Sequence, residues 1–407
     1  MLSNAADSMT RERAGQGRAF GVVESVLALA LAAAVAVVFL VDRRPSAAPA
    51  AALEPVAEVP AEQPAPARRF TIAVAPEKAE FDDVGKLLDG LGRGYAYRHI
   101  TLDELLAPER LGQFDIVFVT CSGYSDTWLA TKSDETLRGG SVYAPNEETF
   151  DRAKQSLRKF VEDGGTLYAS DLHLPLVVRC FPEFRDRSLD ARGAPQTVTA
   201  SVVDPALRQM IGGTIDLKFD QPDWRPAALS GQGLQVFLEG TFATSDGKRT
   251  SAPLLVRFAH GKGTVIFTSF HNEKQNSEQE KKLLQFLVFS VVTAATDADA
   301  ERQMAKGGFS RTRKNLFSAS ADAEVVEQTY ENAEPADLQF ILAFANQGAI
   351  LELAVTAPDG TIRRERGSTT LTIEIPGAAA GRWRYAIRAI KVPSEHFPFT
   401  FSVGRKH

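Results

Sequence analysis

Twenty-two consecutive residues near the start of the chain, Phe20 to Val41 (FGVVESVLALALAAAVAVVFLV), carry a single charge, Glu24. At about 1.5 Å per residue, a helix of that length reaches roughly 33 Å, the thickness of a bilayer's hydrocarbon core. A cleaved signal peptide normally has a shorter apolar stretch and ends in a small-x-small site. This run ends in Leu40-Val41-Asp42-Arg43-Arg44, which predicts an uncleaved transmembrane helix over 20–41 behind an N-terminal tail, 1–19. Arg11, Arg13 and Arg18 precede the helix and Arg43 and Arg44 follow it, so the positive-inside rule places the tail in the cytoplasm. The expected location is a bacterial inner membrane, crossed once, with the lipid bilayer as first partner and the later domains extracytoplasmic.

Residues 45–67 contain six Pro and nine Ala among 23 positions and show no apolar periodicity. They predict an extended tether reaching at most about 70 Å at 3.1 Å per residue. The chain as a whole has the composition of a folded protein, 44% hydrophobic and 24% charged, which excludes wholesale disorder. With 46 basic against 51 acidic residues and no basic block, nucleic acid is not an expected partner. Two cysteines, Cys121 and Cys180, exclude a disulfide scaffold and a Cys-rich zinc protein, and leave room for one disulfide.

From residue 69 the pattern alternates. Strands are expected at Phe70 to Ala75, Tyr95 to Ile100, Phe114 to Thr120 and Thr166 to Ser170, with helices at Phe81 to Leu91 and Phe150 to Asp163, the latter stopped by Gly164-Gly165. Apolar runs separated by helices predict an α/β, doubly wound, flavodoxin-like and mostly parallel sheet, with any site at the strands' carboxyl ends. Shorter strands at Thr197 to Val203, Thr214 to Phe219 and Leu234 to Thr241 extend it antiparallel. A hairpin through His260-Gly261-Lys262-Gly263 returns to the main sheet, and a helix from Ser277 to Thr293 closes the domain with Leu283, Leu284, Leu287, Val288 and Val291 facing the core.

This order, together with the Gly-Gly-terminated helix, the turn after Ser170 and the segment GKGTVIFTSFHNE (Gly261 to Glu273), resembles the class I glutamine amidotransferase fold. It is most similar to divergent members, including the ThuA-like trehalose-utilisation branch, over residues 69–295. The resemblance implies a catalytic Cys on the sharp turn after the fourth strand and a His-x-Glu pair completing a triad. His271-Asn272-Glu273 matches that pair, but the turn reads Tyr168-Ala169-Ser170-Asp171-Leu172-His173, without Cys or Gly. Glutamine hydrolysis, which needs the thiolate, is therefore not expected.

Three readings of this region stay open. Ser170 could act as nucleophile with His271 as base and Glu273 as its orienter, or could be a small core residue at the end of a strand. Asp171, His173, His271 and Glu273 could together supply ligands for a divalent metal, or Asp171 could cap a helical turn while His173 lies at the surface. A binding role without catalysis needs neither, and no cofactor is expected. Cys121 falls where the resemblance places an oxyanion-hole loop and reads as structural or disulfide-paired. The long loop Gly123 to Asn146, with Tyr124, Trp128 and Tyr143, could be a lid over a polar ligand or a cover over an inactive site. Trp224 reads as a packing anchor, and Arg179 as a partner for Glu183 or Asp186.

Residues 296–317, rich in Ala, Asp, Lys and Arg around Gly307-Gly308, read as a connector. From 318 to 405, six strand-like runs without a helix predict a β-sandwich, with Trp383 between its sheets. The chain as a whole reads as a membrane-anchored, non-catalytic binding or assembly protein of the cell envelope, its partner a protein or glycan. The rivals are a Ser-His-Glu hydrolase of amide or ester bonds and a ThuA-like carbohydrate-related protein.

Overall fold

Continuously apolar runs form strands covered on both faces, as a parallel sheet demands. In the computed structural model, which describes residues 71–91, 95–134, 140–275, 277–345 and 348–406, the first half runs β1 (Ile72–Ala75), α1 (Val84–Gly90), β2 (Tyr97–His99), α2 (Pro108–Leu111), β3 (Ile116–Val119), β4 (Leu129–Asp134), β5 (Gly140–Pro145), α3 (Glu147–Glu162), β6 (Thr166–Ser170) and α4 (Leu174–Cys180). There follow β7 (Gln196–Val202), α5 (Pro205–Ile211), β8 (Thr214–Phe219), β9 (Gln235–Ala243), β10 (Arg249–His260), β11 (Gly263–Thr268) and α6 (Glu278–Lys306). The expected membrane helix at 20–41 and the tether at 45–67 lie outside the described residues.

Nine strands form one sheet in the order β2-β1-β3-β6-β11-β10-β9-β7-β8. The five from β2 to β11 are parallel to one another, and their succession is that of flavodoxin-like doubly wound sheets. The four beyond are antiparallel. Side chains alternate between two cores: Ile72, Val74, Ile116 and Phe118 face α1 and α6, while Ala73, Ala75, Val117 and Val119 face α3.

Local signals set the helix ends. Asn146 caps α3 through the Thr149 N–H, with Glu147 and Glu148 in its first turn. The helix ends where the Gly164 and Gly165 N–H groups return to the Val161 and Phe160 carbonyls, Gly164 taking φ 120°. The hairpin turn before β11 sits so close to this end that a Cβ on Gly263 would lie 2.2 Å from the Gly165 oxygen and 2.3 Å from that of Val161. A Ser277/Glu280 capping box starts α6.

Two expectations about the second half are corrected. Residues 296–317 are not a connector: α6 continues to Lys306, and β12 (Ser310–Ala319) already belongs to the sandwich. The sandwich has eight strands rather than six: β12, β13 (Val325–Asn332), β14 (Ala336–Ala343), β15 (Ile350–Thr356), β16 (Ile362–Gly367), β17 (Leu371–Ala378), β18 (Gly381–Lys391) and β19 (Phe397–Lys406). Its sheets are β12-β19-β14-β17 and β13-β18-β15-β16. Trp383 and Phe340 meet across the space between them, and Tyr385 stacks on Phe401 at 4.0 Å.

The α6 helix is the one described helix long and apolar enough to cross a membrane, and it is a core helix with 72% of its apolar window buried. Its first half covers the large sheet, and Ala300 and Met304 in its second half pack against Ile341 and Ala343 of the sandwich. Asp297 lies between the two modules. It accepts Arg257 of β10 at 2.8 Å and, from β12, Arg311 and Lys314 at 2.7 Å.

Candidate functional site

Ser170 ends β6 in an extended conformation, fully buried, and its Oγ accepts the Cys121 N–H at 2.9 Å. The residue that turns the corner is Asp171, at φ 42°. This left-handed region costs a non-glycine residue about 1 kcal/mol, and Asp enters it more readily than most. The turn thus forms without the glycines whose absence the sequence displays.

The Asp171 carboxylate, 1% exposed, meets three groups. Oδ1 accepts the Arg225 backbone N–H at 2.6 Å. Oδ2 takes the Cys121 thiol at 3.7 Å and lies 3.2 Å from His271 Nε2, without hydrogen-bond alignment. On the far side of the imidazole, Nδ1 lies 2.9 Å from Asp220 Oδ1, so the ring stands between two carboxylates. Burial opposes a charge on His271, but Asp171, Asp82 and Asp220 together outweigh it and hold its pKa above 6.5.

Asp82, in the stretch between β1 and α1, braces the same segment. It accepts the Asn272 N–H at 2.8 Å, the Asn272 side-chain amide at 2.7 Å and the Glu273 N–H at 3.2 Å. Burial pushes it up to about 6 in spite of these donors and the nearby His271. Burial, reinforced by Asp171, also holds the Cys121 thiol far above its ordinary range, so it is a protonated donor and not a thiolate.

The expected relay of Ser170, His271 and Glu273 is not the set of contacts formed. The two nitrogens of His271 face Asp171 and Asp220, and Glu273 forms an ion pair with Lys86 at the surface. Of the four expected metal ligands, Asp171 and His271 meet, and Glu273 does not join them. His173 is buried rather than exposed, 3.1 Å from Ser122 Oγ and 3.2 Å from Tyr124 Oη, with burial lowering its pKa to about 4. Cys121 takes the vacated place: its sulfur and ligand atoms of Asp171 and His271 lie within 4.8 Å of one another. That S, O, N set could hold zinc or a similar cation, with Asp220 orienting the imidazole from behind.

Sequence reasoning missed Asp220 and Asp82. Each follows a strand, β8 or β1, whose carboxyl end is the edge where a doubly wound sheet gathers its site, and that position was the available signal. Cys121 and Cys180 are both free and buried, so no disulfide joins them. Arg179 pairs with Glu147, and Glu183 pairs with Arg158 instead. Trp224 is the packing anchor expected, stacked on Phe219 at 3.8 Å. Within the 123–146 segment β4 and β5 pair antiparallel, and Trp128 beside them is fully buried, donating its indole N–H to Asp103 at 2.9 Å.

No family model matches this chain, and no curated protein matches it. Solved structures similar to it include a ThuA-like protein from Bacteroides uniformis, 13% identical, covering 58% of this chain and 96% of its own, at a TM-score of 0.37. Another is described as a GMP synthase component from Thermoplasma acidophilum, 11% identical, covering 59% of this chain and 98% of its own, at 0.35. A mitogen from Yersinia pseudotuberculosis is 13% identical over 23% of this chain and 85% of its own, at 0.18.

Proposed function

We propose that this chain is a membrane-held binding protein, anchored by residues 20–41, whose sheet-end centre is a fixed polar lock rather than a reaction centre. Its partner is a protein or glycan on the extracytoplasmic side. The observation that carries this reading is the corner residue. Asp171 is buried and engaged by the Arg225 N–H, Cys121 and His271, while Ser170 is held on the Cys121 N–H and no thiolate is present. Nucleophilic catalysis needs a nucleophile within hydrogen-bond reach of a free base, and here both nitrogens of the candidate base face carboxylates.

Exposure of the full chain and its Ser170→Ala variant to a serine-directed phosphonate, with amide and ester substrates assayed alongside, tests the reading. No Ser170-dependent labelling or turnover is expected. Labelling that Ser170→Ala abolishes would overturn the binding role in favour of the hydrolase. For the anchor, the chain is expected to stay with membranes through alkaline carbonate extraction and to be released when 20–41 is deleted.

A further inference from the structure

A cleft of about 780 Å³ opens beside the Asp171 corner, walled by the first turns of α4, by residues 185–192, by Arg225 and by the β9–β10 hairpin. Its lining carries six basic side chains, Arg179, Arg185, Arg192, Arg225, Lys248 and Arg249. Two carboxylates, Asp190 and Asp246, stand against them. This balance runs opposite to the chain's net charge of -5.

Four of the six are already matched: Arg179 with Glu147, Arg185 with Asp190 at 3.0 Å, Lys248 with Asp246 at 2.7 Å, and Arg192 with Asp223 at 3.9 Å. Arg225 and Arg249 have no ion-pair partner among the described residues. Arg249 is exposed, whereas Arg225 is half-buried. Burial and the neighbouring Arg192 depress the Arg225 guanidinium by more than Asp171, Asp190 and Asp223 offset, a remaining cost that an incoming anion would reduce.

The wall that carries Arg225 is pinned. Its N–H is held by Asp171 at 2.6 Å, the preceding Trp224 carbonyl accepts the Gly193 N–H at 2.9 Å, and the Trp224 indole donates to the Ala194 carbonyl at 2.9 Å. A preformed wall spares a ligand the ordering cost of binding. Guanidinium forks match the paired oxygens of phosphate and carboxylate. No aromatic side chain lines the cleft to stack a sugar or a base, so charge must supply recognition.

We propose that this cleft binds a small, multiply charged oxyanion, phosphate or carboxylate, held between Arg225 and Arg249. The proposal rests on the non-catalytic binding role above and adds a small-molecule ligand to it. Titration of the full chain with inorganic pyrophosphate and with citrate, followed by calorimetry, tests it. Saturable binding of one or both is expected, weakening with added salt, and the stronger of the two identifies the oxyanion. Arg225→Gln and Arg249→Gln should each weaken binding roughly tenfold or more, with Arg225→Lys recovering part of the loss and unchanged thermal melts showing that the variants fold.

Absence of binding by both anions up to about 10 mM, a range that reaches Kd values weaker than millimolar, would overturn the proposal. So would binding that both Gln variants leave intact. Binding of poly-glutamate alone would overturn it in favour of an acidic protein surface. None of these results would alter the phosphonate outcome, so failure of the ligand class is separable from failure of the non-catalytic reading.

Discussion

Replacing Asp297 by Ala should destabilise the two modules together. The carboxylate is 1% exposed and accepts three cations, Arg257, Arg311 and Lys314, at 2.7 to 2.8 Å. Its removal strands Arg257, whose side chain is only 9% exposed, while Arg311 keeps Glu301 at 2.7 Å and Lys314 retains some solvent. Breaking a buried pair by removing one partner costs about 3–5 kcal/mol. Solvent access to two of the three cations argues for the middle of that range, about 4 kcal/mol. At about 2.1 cal/mol/K per residue, joint unfolding of roughly 330 residues carries an entropy of about 0.7 kcal/mol/K, so this loss corresponds to a fall in Tm of about 6 °C. Single-Trp variants retaining Trp224 in the α/β module or Trp383 in the sandwich would follow urea and thermal unfolding of the full chain. Both probes should move together. Burial alone would raise the Asp297 pKa, but the three cations hold it well below 3.8. Its stabilisation is therefore present above pH 3.8 and lost as the pH falls below that value, so the gap between wild type and variant should close in acid. A loss below about 1 kcal/mol, the range of surface ion pairs, or a shift confined to one probe, would refute the reasoning.

Gly263→Ala would drive a methyl group into two backbone oxygens at the end of α3, and should cost about 3 kcal/mol in urea unfolding; a neutral result would show that the hairpin turn can move away. Burial raises both thiols, Cys180 to about 12, so a disulfide-exchange reagent should find neither in the native chain and both in denaturant, and fast native labelling would contradict the packing. The His271 imidazole, followed by NMR, should titrate above 6.5, its charge stabilising the fold below that pH and this contribution being lost as the pH rises through the raised value. Asp220→Asn should lower the midpoint, and a wild-type midpoint at or below 6.5 would remove the imidazolium from the lock.

What could be read from the sequence follows from burial. Strands covered on both faces, such as Ile116–Val119 and Thr166–Ser170, print as short, mostly apolar runs without charge, and the central sheet was legible through them. The two overlooked sandwich strands, β12 and β16, are both sheet edges and read SRTRKNLFSA and IRRERG. Charged edges resist pairing with other chains, and the same charges hide the strand from pattern reading. The second half of α6 was obscured because its core contacts are alanines and Met304 amid Asp, Glu and Arg, where small side chains leave little periodicity. At the site, His271 stood out by its His-x-Glu motif. Its carboxylate partner Asp220 did not, because the antiparallel extension that carries it folds back from 51 residues away in sequence.

The unbroken helix Glu278–Lys306 has a consequence for how a partner can be held. Two modules joined by a flexible tether search for a bridging partner, and their avidity depends on tether length. Here α6 packs against both the large sheet and the sandwich, and only Gly307 to Phe309 separate its end from β12. A partner whose two contact points match the fixed spacing would gain the full benefit of bivalence without entropy lost in ordering a linker. One whose spacing differs by even a few ångströms could use only a single contact, so a shared helix would favour partners by dimension as well as by chemistry.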